Sequence, residues 1–328
     1  GIHSMKKRAD GRYQMNLTIT GADGKPKRKT FYGASPQEVR RKVLEFTGEQ
    51  AKGKTLREVC EGWQAEAEQE IRYNTLTCYK KPTEDVLEAF GDVRIRDLTT
   101  LDIEAFLRAL AKKGFARQTV RVRLVVLNRI CKYAMRHGDL TSNPAEAAQL
   151  PKGLTAKKRE MPSNDALAKV TELEPKGFNL LPLLLYYTGC RRGEAMALEW
   201  EDIDRNARVI HVTKEVEYHG NVPVIVKWTK SAAGRRDIII RSKLLELLPK
   251  GKKKGLLFPG KDGGPMTKGE FIQWWDDLKL GITPHQLRHA YVTELYEAGV
   301  PAEVAMTQTG HSDIKTMRGI YTHIRDSQ

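Results

Sequence analysis

The period of the hydrophobic pattern changes along this chain, and the changes mark off its parts. Residues 12–20 alternate apolar and polar, the period-two pattern of a half-buried strand. Residues 55–137 instead repeat their apolar positions at helical spacing, and the stretch beyond residue 160 mixes both patterns. Three parts follow: 5–54, 55–150 and 160–328, the last two joined by a linker over 151–159. Length alone, at 328 residues, favours about two domains.

In the first part, Arg12 to Thr20 reads as a strand, Ala22-Asp23-Gly24 as a hairpin turn and Lys25 to Tyr32 as a second strand ending at Gly33. Ser35-Pro36 begins a helix, with Glu38 closing a capping box. Gly1 to Ser4 read as an expression scar before Met5. Residues 5–54 hold 13 basic and 5 acidic residues, more than half of the net charge of +15. Arg12, Lys27, Arg28 and Lys29 lie on the strands, as they would on a strand face laid into a DNA groove. A solvated charged hairpin fits the same residues equally well.

The second part reads as four helices: from Thr55 through Trp63, from Thr75 through Phe90, Thr100 to Lys113, and Gln118 to His137. On the last, Val120, Leu124, Leu127, Cys131 and Ala134 share one face, while Arg121, Arg129, Lys132 and Arg136 fall opposite. From Arg108 to Arg136 there are nine basic residues and no acidic one. Solvated helices normally mix signs, so this run, which includes Arg117, points to phosphate contact. The linker adds Lys157, Lys158 and Arg159.

A charge of +15 and a pI near 9.6 attract polyanions, and nucleic acid is the polyanion to expect. No basic amphipathic helix suited to an anionic membrane is evident, and no run of ~18 apolar residues exists. No apolar stretch follows the first basic residues, so a signal peptide is not expected. Cys60, Cys78, Cys131 and Cys190 form no C-x-x-C pair, which fits a reducing cytosol better than a disulfide framework.

Beyond residue 160 the chain reads as mixed α/β. Leu180 to Tyr187 is an apolar helix; Val209 to Glu217, Val222 to Trp228 and Arg236 to Ile240 are strands; helices follow from Ser242, Lys268, Thr283, Pro301 and Ile314. Two motifs are decoys. Gly48 to Thr55 matches G-x-x-x-x-G-K-[ST], but a helical, charged segment precedes it where a P-loop needs a buried strand. His285 and His289 stand four apart, yet the Glu of H-E-x-x-H is missing and Arg288 lies between them.

The same residues suit an oxyanion. Thr283-Pro284 opens a helix, so His285, Arg288 and His289 lie near its positive end. Arg191 follows Thr188-Gly189 at the end of the apolar helix, and its guanidinium can grip phosphate with two bonds, steadied by Glu194 three residues on.

Thr188-Gly-Cys-Arg191-Arg-Gly-Glu194, Lys230 within Thr229 to Arg236, His285-Gln-Leu-Arg288-His289, Gly310-His311 and Ile320-Tyr321-Thr-His323 occur in that order. Their order and spacing resemble the tyrosine recombinases, the phage-integrase family, over the whole of 160–328. The preceding helices resemble that family's core-binding domain. Arg8-x-Asp10-Gly-Arg12-Tyr13 and Lys29-Thr-Phe31-Tyr-Gly33 resemble the arm-binding sheet domain of integrases from phages and conjugative transposons. The implied fold is multidomain: a small α+β N-terminal arm-binding domain, an all-α core-binding domain and a mixed α/β catalytic domain.

The resemblance implies an integrase of a prophage or mobile element. Tyr321 would attack a DNA phosphate and leave a 3′-phosphotyrosyl bond with a free 5′-hydroxyl. Arg191 and Arg288 would clamp the non-bridging oxygens, His311 would donate a third bond, Lys230 would protonate the leaving oxygen, and His285 would assist proton transfer at Tyr321. Glu194 and His289 would support them from behind. No cofactor, ATP or metal is implied. The implied partners are double-stranded DNA at core and arm sites, three further copies in a tetramer, an excisionase and a DNA-bending protein; a cytosolic setting, bacterial or host, is implied as well. Thr309 departs from the Leu common before Gly310, and looser packing is expected there. Seven residues follow Tyr321, a short tail for the C-terminal exchange that family members often make. The alternatives are a type IB topoisomerase-like enzyme, a non-catalytic DNA-binding regulator, and a zinc hydrolase using His285, His289 and His311.

Overall fold

A computed structural model of the chain describes residues 5–20, 26–51, 53–155, 161–227, 235–251, 253–311 and 313–327. The turn signal Ala22-Asp23-Gly24, the basic run Lys157, Lys158 and Arg159, and Lys230 lie outside the described residues. The chain divides into two compact units, residues 1–157 and 158–328.

The first unit opens with an antiparallel sheet of β1 (Lys6–Lys7), β2 (Tyr13–Thr20) and β3 (Pro26–Gly33), followed by α1 (Pro36–Ala51). The sequence reading lacks β1. Asp10 Oδ1 accepts from the Arg12 backbone N–H at 3.1 Å and Gly11 takes φ +82°, which turns Lys6 and Lys7 back onto Gln14 and Tyr13. At the start of α1, Ser35 Oγ accepts from the Glu38 N–H, while the Glu38 carboxylate accepts from Ala34 N, one residue ahead of the cap.

Phe31 of β3 packs against Phe46 of α1 with ring centroids 5.2 Å apart, and Val39 is fully buried. This corrects the basic cluster expected on one strand face. Leu17 pairs with Lys29, Thr18 with Arg28 and Ile19 with Lys27. Alternation therefore puts Lys27 and Lys29 on the α1 side, where Lys29 Nζ lies 3.9 Å from the Phe46 ring centroid. Arg28 falls on the opposite, open face with Gln14, Asn16, Thr18 and Thr30.

Four helices follow: α2 (Leu56–Glu70), α3 (Tyr73–Phe90), α4 (Thr100–Lys112) and α5 (Arg117–Arg136). Thr55 and Thr99 cap α2 and α4 through reciprocal bonds with Glu58 and Asp102, satisfying otherwise orphaned amides. Helix α3 begins two residues before Thr75 and continues through the buried Pro82. Val59, Ile103, Leu107, Val126, Leu127 and Ile130 make the common core. Gly48 lies inside α1, so the P-loop-like stretch follows a helix and not the strand such a loop requires.

The second unit contains α6 (Asn164–Thr171), α7 (Leu180–Thr188), α8 (Arg192–Ala197), β4 (Ile203–Asp204), β5 (Val209–Val212), β6 (Lys214–His219), β7 (Val222–Lys227), β8 (Arg236–Ile239), α9 (Ser242–Leu247), α10 (Lys268–Asp277), α11 (Pro284–Glu297), α12 (Ala302–Thr309) and α13 (Ile314–Ser327). One strand was expected over Val209 to Glu217, and two are found. Pairing changes at Thr213: β5 joins β4 and β8, whereas β6 pairs with β7. The hydrophobic alternation runs through this break, which hides it from the sequence. Leu181, Leu183, Leu184 and Leu185 of α7 are fully buried, each stabilising the unit by about 1.5–3 kcal/mol. A second cluster, with Tyr291, Leu295, Ala305 and Met317, ties α11, α12 and α13 together. The observed class is the one read from the sequence: a small α+β segment, an all-α segment and a mixed α/β segment.

Candidate active site

Gly189 ends α7 in the left-handed conformation, φ +64°, and a Cβ there would lie 2.3 Å from Tyr291 Cδ1. Only glycine makes this turn so close to α11. Two residues on, Arg191 is the N-cap of α8. The Glu194 carboxylate reaches back to Arg191, accepting from its backbone N–H and from its guanidinium, both at 2.8 Å. The other Arg191 nitrogen donates to Gly310 O at 2.7 Å.

Glu194 is completely buried and serves a second arginine. Arg236 of β8 makes a two-pronged pair with it, at 3.0 and 2.7 Å, and donates a further bond to Gln308 O at 2.9 Å. The sequence reading missed Arg236. Its neighbour Arg235 and the basic stretch of sequence before it make it look like one more surface charge. Burial alone would raise the Glu194 pKa; the bonds and charges of Arg236 and Arg191 outweigh burial and hold it below the usual carboxylate range.

Arg288 enters from the second turn of α11, only 3% exposed, and donates to Gly189 O at 2.7 Å. Burial, with Arg191 and Arg236 nearby, pulls its pKa down to about 10, which still leaves it charged at neutral pH. Arg191, Arg236 and Arg288 thus surround a single carboxylate. Two positive charges go unbalanced within this group, a ready place for an anion.

His311 follows Gly310 at the end of α12. Arg288 Nη2 lies 3.4 Å from both of its ring nitrogens, and Thr309 Oγ1 lies 2.7 Å from Nδ1. Burial first, then Arg288 and Arg191, push the His311 pKa down to about 4, so the ring is neutral at pH 7. Thr309 does not loosen the packing as expected: it is fully buried, and its hydroxyl also donates to Ala305 O at 2.7 Å. His285 is exposed on the first turn of α11 and meets His289 edge-on, with centroids 4.5 Å apart.

Tyr321 lies on α13, in the cluster shared with α11 and α12. Its ring packs edge-on to Tyr296 at 5.1 Å, and its hydroxyl donates to Val300 O at 3.1 Å. Burial, then Tyr291 and Glu303, push its pKa above that of a free phenol. The fold therefore gathers Arg191, Glu194, Arg288 and His311 into one cluster, held by hydrogen bonds among themselves and to the Gly189 and Gly310 carbonyls, and leaves the Tyr321 hydroxyl on a backbone carbonyl. Among the described residues, no three His, Cys, Asp or Glu side chains are gathered as a metal site, His285, His289 and His311 included. No helix among them is long and apolar enough to cross a membrane.

The basic run on α5 is not one stripe. Arg117, Arg121, Arg129 and Lys132 are exposed, but Arg136 pairs with Glu66 at 2.5 Å and Arg123 is buried against Asp85. Arg129 and Lys132 line a cleft with Trp63 and Ala67. Arg12 is held by Asp10 at 2.9 Å.

Residues 163–328 match the family described as "Phage integrase family", and residues 55–111 match "Phage integrase, N-terminal SAM-like domain". Tyrosine recombinase XerD of Corynebacterium glutamicum is 29% identical over 286 residues, covering 78% of this chain and 90% of that protein. Among solved structures, the Tn1549 transposon integrase in complex with transposon right end DNA superposes with a TM-score of 0.68 at 21% identity, covering 82% of this chain and 95% of its own. A lambda integrase dimer bound to a core site gives 0.59 at 18% identity, covering 97% of this chain and 94% of its own. Those two likenesses concern the fold. The family match spans half of the chain and includes every residue of the arginine group, so the chain belongs to the phage integrase family, the DNA strand-transferases known as tyrosine recombinases.

Proposed function

We propose that the chain is a site-specific recombinase that cuts and rejoins double-stranded DNA to integrate or excise a prophage or mobile element. The observation that carries this reading is the arginine group around the buried Glu194, with its excess of two positive charges, in the same compact unit as Tyr321. A scissile phosphate supplies the missing negative charge. Arg191 and Arg288 grip its non-bridging oxygens and hold the charge that grows in the transition state. His311 contributes a further N–H.

The Tyr321 oxygen attacks phosphorus and forms the 3′-phosphotyrosyl bond; the bond to the 5′-oxygen breaks, and Lys230 protonates that oxygen. His285 assists proton transfer from the phenol, whose raised pKa makes such help necessary. Because one phosphodiester replaces another, religation needs no external energy. Tyr321 has to leave the Val300 carbonyl to reach the phosphate, so DNA engagement is coupled to a shift of α13.

The first unit supplies DNA contacts away from the chemistry. Arg117, Arg121, Arg129 and Lys132 on α5, with Arg136, meet phosphates of the core site, and the linker cations Lys157, Lys158 and Arg159 continue that contact. The open sheet face, with Arg28 among Gln14, Asn16, Thr18 and Thr30, reads a groove at arm sites, flanked by Arg12, Lys27 and Lys29. Four protomers act on paired sites, with an excisionase and a DNA-bending protein as accessory partners. The second DNA-binding face favours this over a topoisomerase, which relaxes supercoils without a second site. Incubating the full chain with a nicked suicide duplex tests the reading. A covalent protein–DNA adduct forms, and Tyr321→Phe abolishes it while leaving non-covalent binding. An adduct surviving in the Phe variant refutes it.

A further inference from the structure

Thr309 Oγ1 has one proton and three neighbours within hydrogen-bonding range. Ala305 O, at 2.7 Å, is a carbonyl and can only accept, as is Met306 O at 3.4 Å. The hydroxyl proton is therefore spent along α12. The third contact, His311 Nδ1 at 2.7 Å, must then supply its own proton and donate to Thr309 Oγ1. In a neutral imidazole that leaves Nε2 with a lone pair. Arg288 Nη2 stands 3.4 Å from both ring nitrogens, and this equidistance puts it off the lone-pair axis of either.

We infer that Thr309 is a positioning residue that fixes His311 in the Nδ1–H tautomer. The neutral ring then meets DNA with an acceptor at Nε2 and gives an N–H to a phosphate oxygen only after taking up one proton from solvent. The groups facing His311 make that uptake conditional on the phosphate. Arg288 and His289 come from α11, Arg191 from the turn before α8 and Arg236 from β8. Burial first, and then these charges together, oppose a positive ring and depress its pKa, until a bound phosphate offsets the charges. A leucine at this position has no acceptor for Nδ1–H and leaves the tautomer to other contacts. The inference rests on the reading of His311 as a phosphate-facing residue.

The test is the nitrogen-15 spectrum of the full chain, labelled at histidine, at pH 7 without DNA, with His311→Gln identifying the signal. Wild-type His311 shows a protonated Nδ1 and a bare Nε2. Thr309→Ser, which keeps the hydroxyl, shows the same pattern. Thr309→Val, close in shape, loses it. A protonated Nε2 in the wild type, or an unchanged tautomer in the Val variant, overturns the inference. Cleavage gives a second readout: the ratio of single-turnover rates, Thr309→Val over wild type, rises by up to ~10-fold per pH unit above the DNA-bound pKa of His311, because only the wild type needs the extra proton. A ratio that does not vary with pH also overturns it. Failure to form any adduct sinks the recombinase reading and leaves the tautomer result to be judged by itself.

Discussion

The Glu194 carboxylate and the Arg236 guanidinium are joined by two hydrogen bonds, at 2.7 and 3.0 Å, where the carboxylate has no exposure to solvent. They are 42 residues apart, and their pairing binds the start of α8 to β8. The third bond of Arg236, to Gln308 O, extends the hold to the end of α12, next to Thr309 and His311. Arg236 thus positions both Arg191 and the His311 turn without being one of the groups assigned to phosphate.

Removing Arg236 therefore costs more than a surface ion pair. Arg236→Ala leaves a buried carboxylate with Arg191 alone, and losing one partner of a buried pair typically destabilises by about 3–5 kcal/mol. Arg236→Lys keeps the charge but cannot make the two-pronged bond and the Gln308 bond together. Chemical denaturation is expected to show a large loss for Ala and a smaller one for Lys, with adduct formation slowed in the Lys variant. Wild-type stability in Arg236→Ala would contradict the role given to this pair.

Arg288 is expected to matter for rate far more than for DNA affinity. Affinity is spread over many phosphate contacts, whereas the transition-state charge is concentrated at one phosphate. Arg288→Gln should slow adduct formation at saturating DNA by ~10²–10³ and change the dissociation constant only a few-fold. Equal losses in both would place Arg288 in general DNA binding.

Much of this site was legible because its local pieces are short. The i,i+3 spacing of Arg191 and Glu194, the Thr283 cap five residues ahead of Arg288, and Gly310 directly before His311 each lie within two turns of chain. Arg236 was not legible, since nothing near it in sequence indicates that its partner is a carboxylate 42 residues earlier. Thr309 misled for a related reason: its side chain suggested a gap where leucine is usual, but its hydroxyl found partners on either side. The α5 charge run overstated itself because Asp85 and Glu66, which neutralise Arg123 and Arg136, come from other helices. Six- and eight-residue helices such as α8 and α6 carry too few turns for a clear period.

Stability should depend on pH through His311. Its pKa in the folded protein is about 4, below the ordinary 6.5. Between those values the unfolded chain holds a proton that the folded chain lacks, so lowering the pH favours unfolding. The contribution of this group is complete above pH 6.5 and is lost as the pH falls toward 4. Denaturation midpoints measured between pH 7.5 and pH 4.5 should decline less steeply in His311→Gln than in wild type. Parallel declines would show that other groups govern the acid limb.

Two arginines two residues apart on α5 should separate DNA contact from folding. Arg121 is exposed, whereas Arg123 is buried with its guanidinium 2.6 Å from Asp85 and a further bond to Thr119 O at 2.8 Å. If Arg121 meets a phosphate, Arg121→Ala weakens binding to all sequences alike and reduces the slope of log affinity against log salt by about 1. The same change leaves the denaturation midpoint almost unmoved, because an exposed side chain contributes little to folding. Arg123→Ala should do the reverse: it strands the half-buried Asp85 with Lys81 as its remaining partner, lowers stability by a few kcal/mol on the order of a broken buried pair, and leaves the salt slope of the folded fraction unchanged. Measuring both quantities for both variants decides between the two roles. If Arg123→Ala alters the slope and Arg121→Ala does not, α5 presents a different face to DNA from the one assigned here.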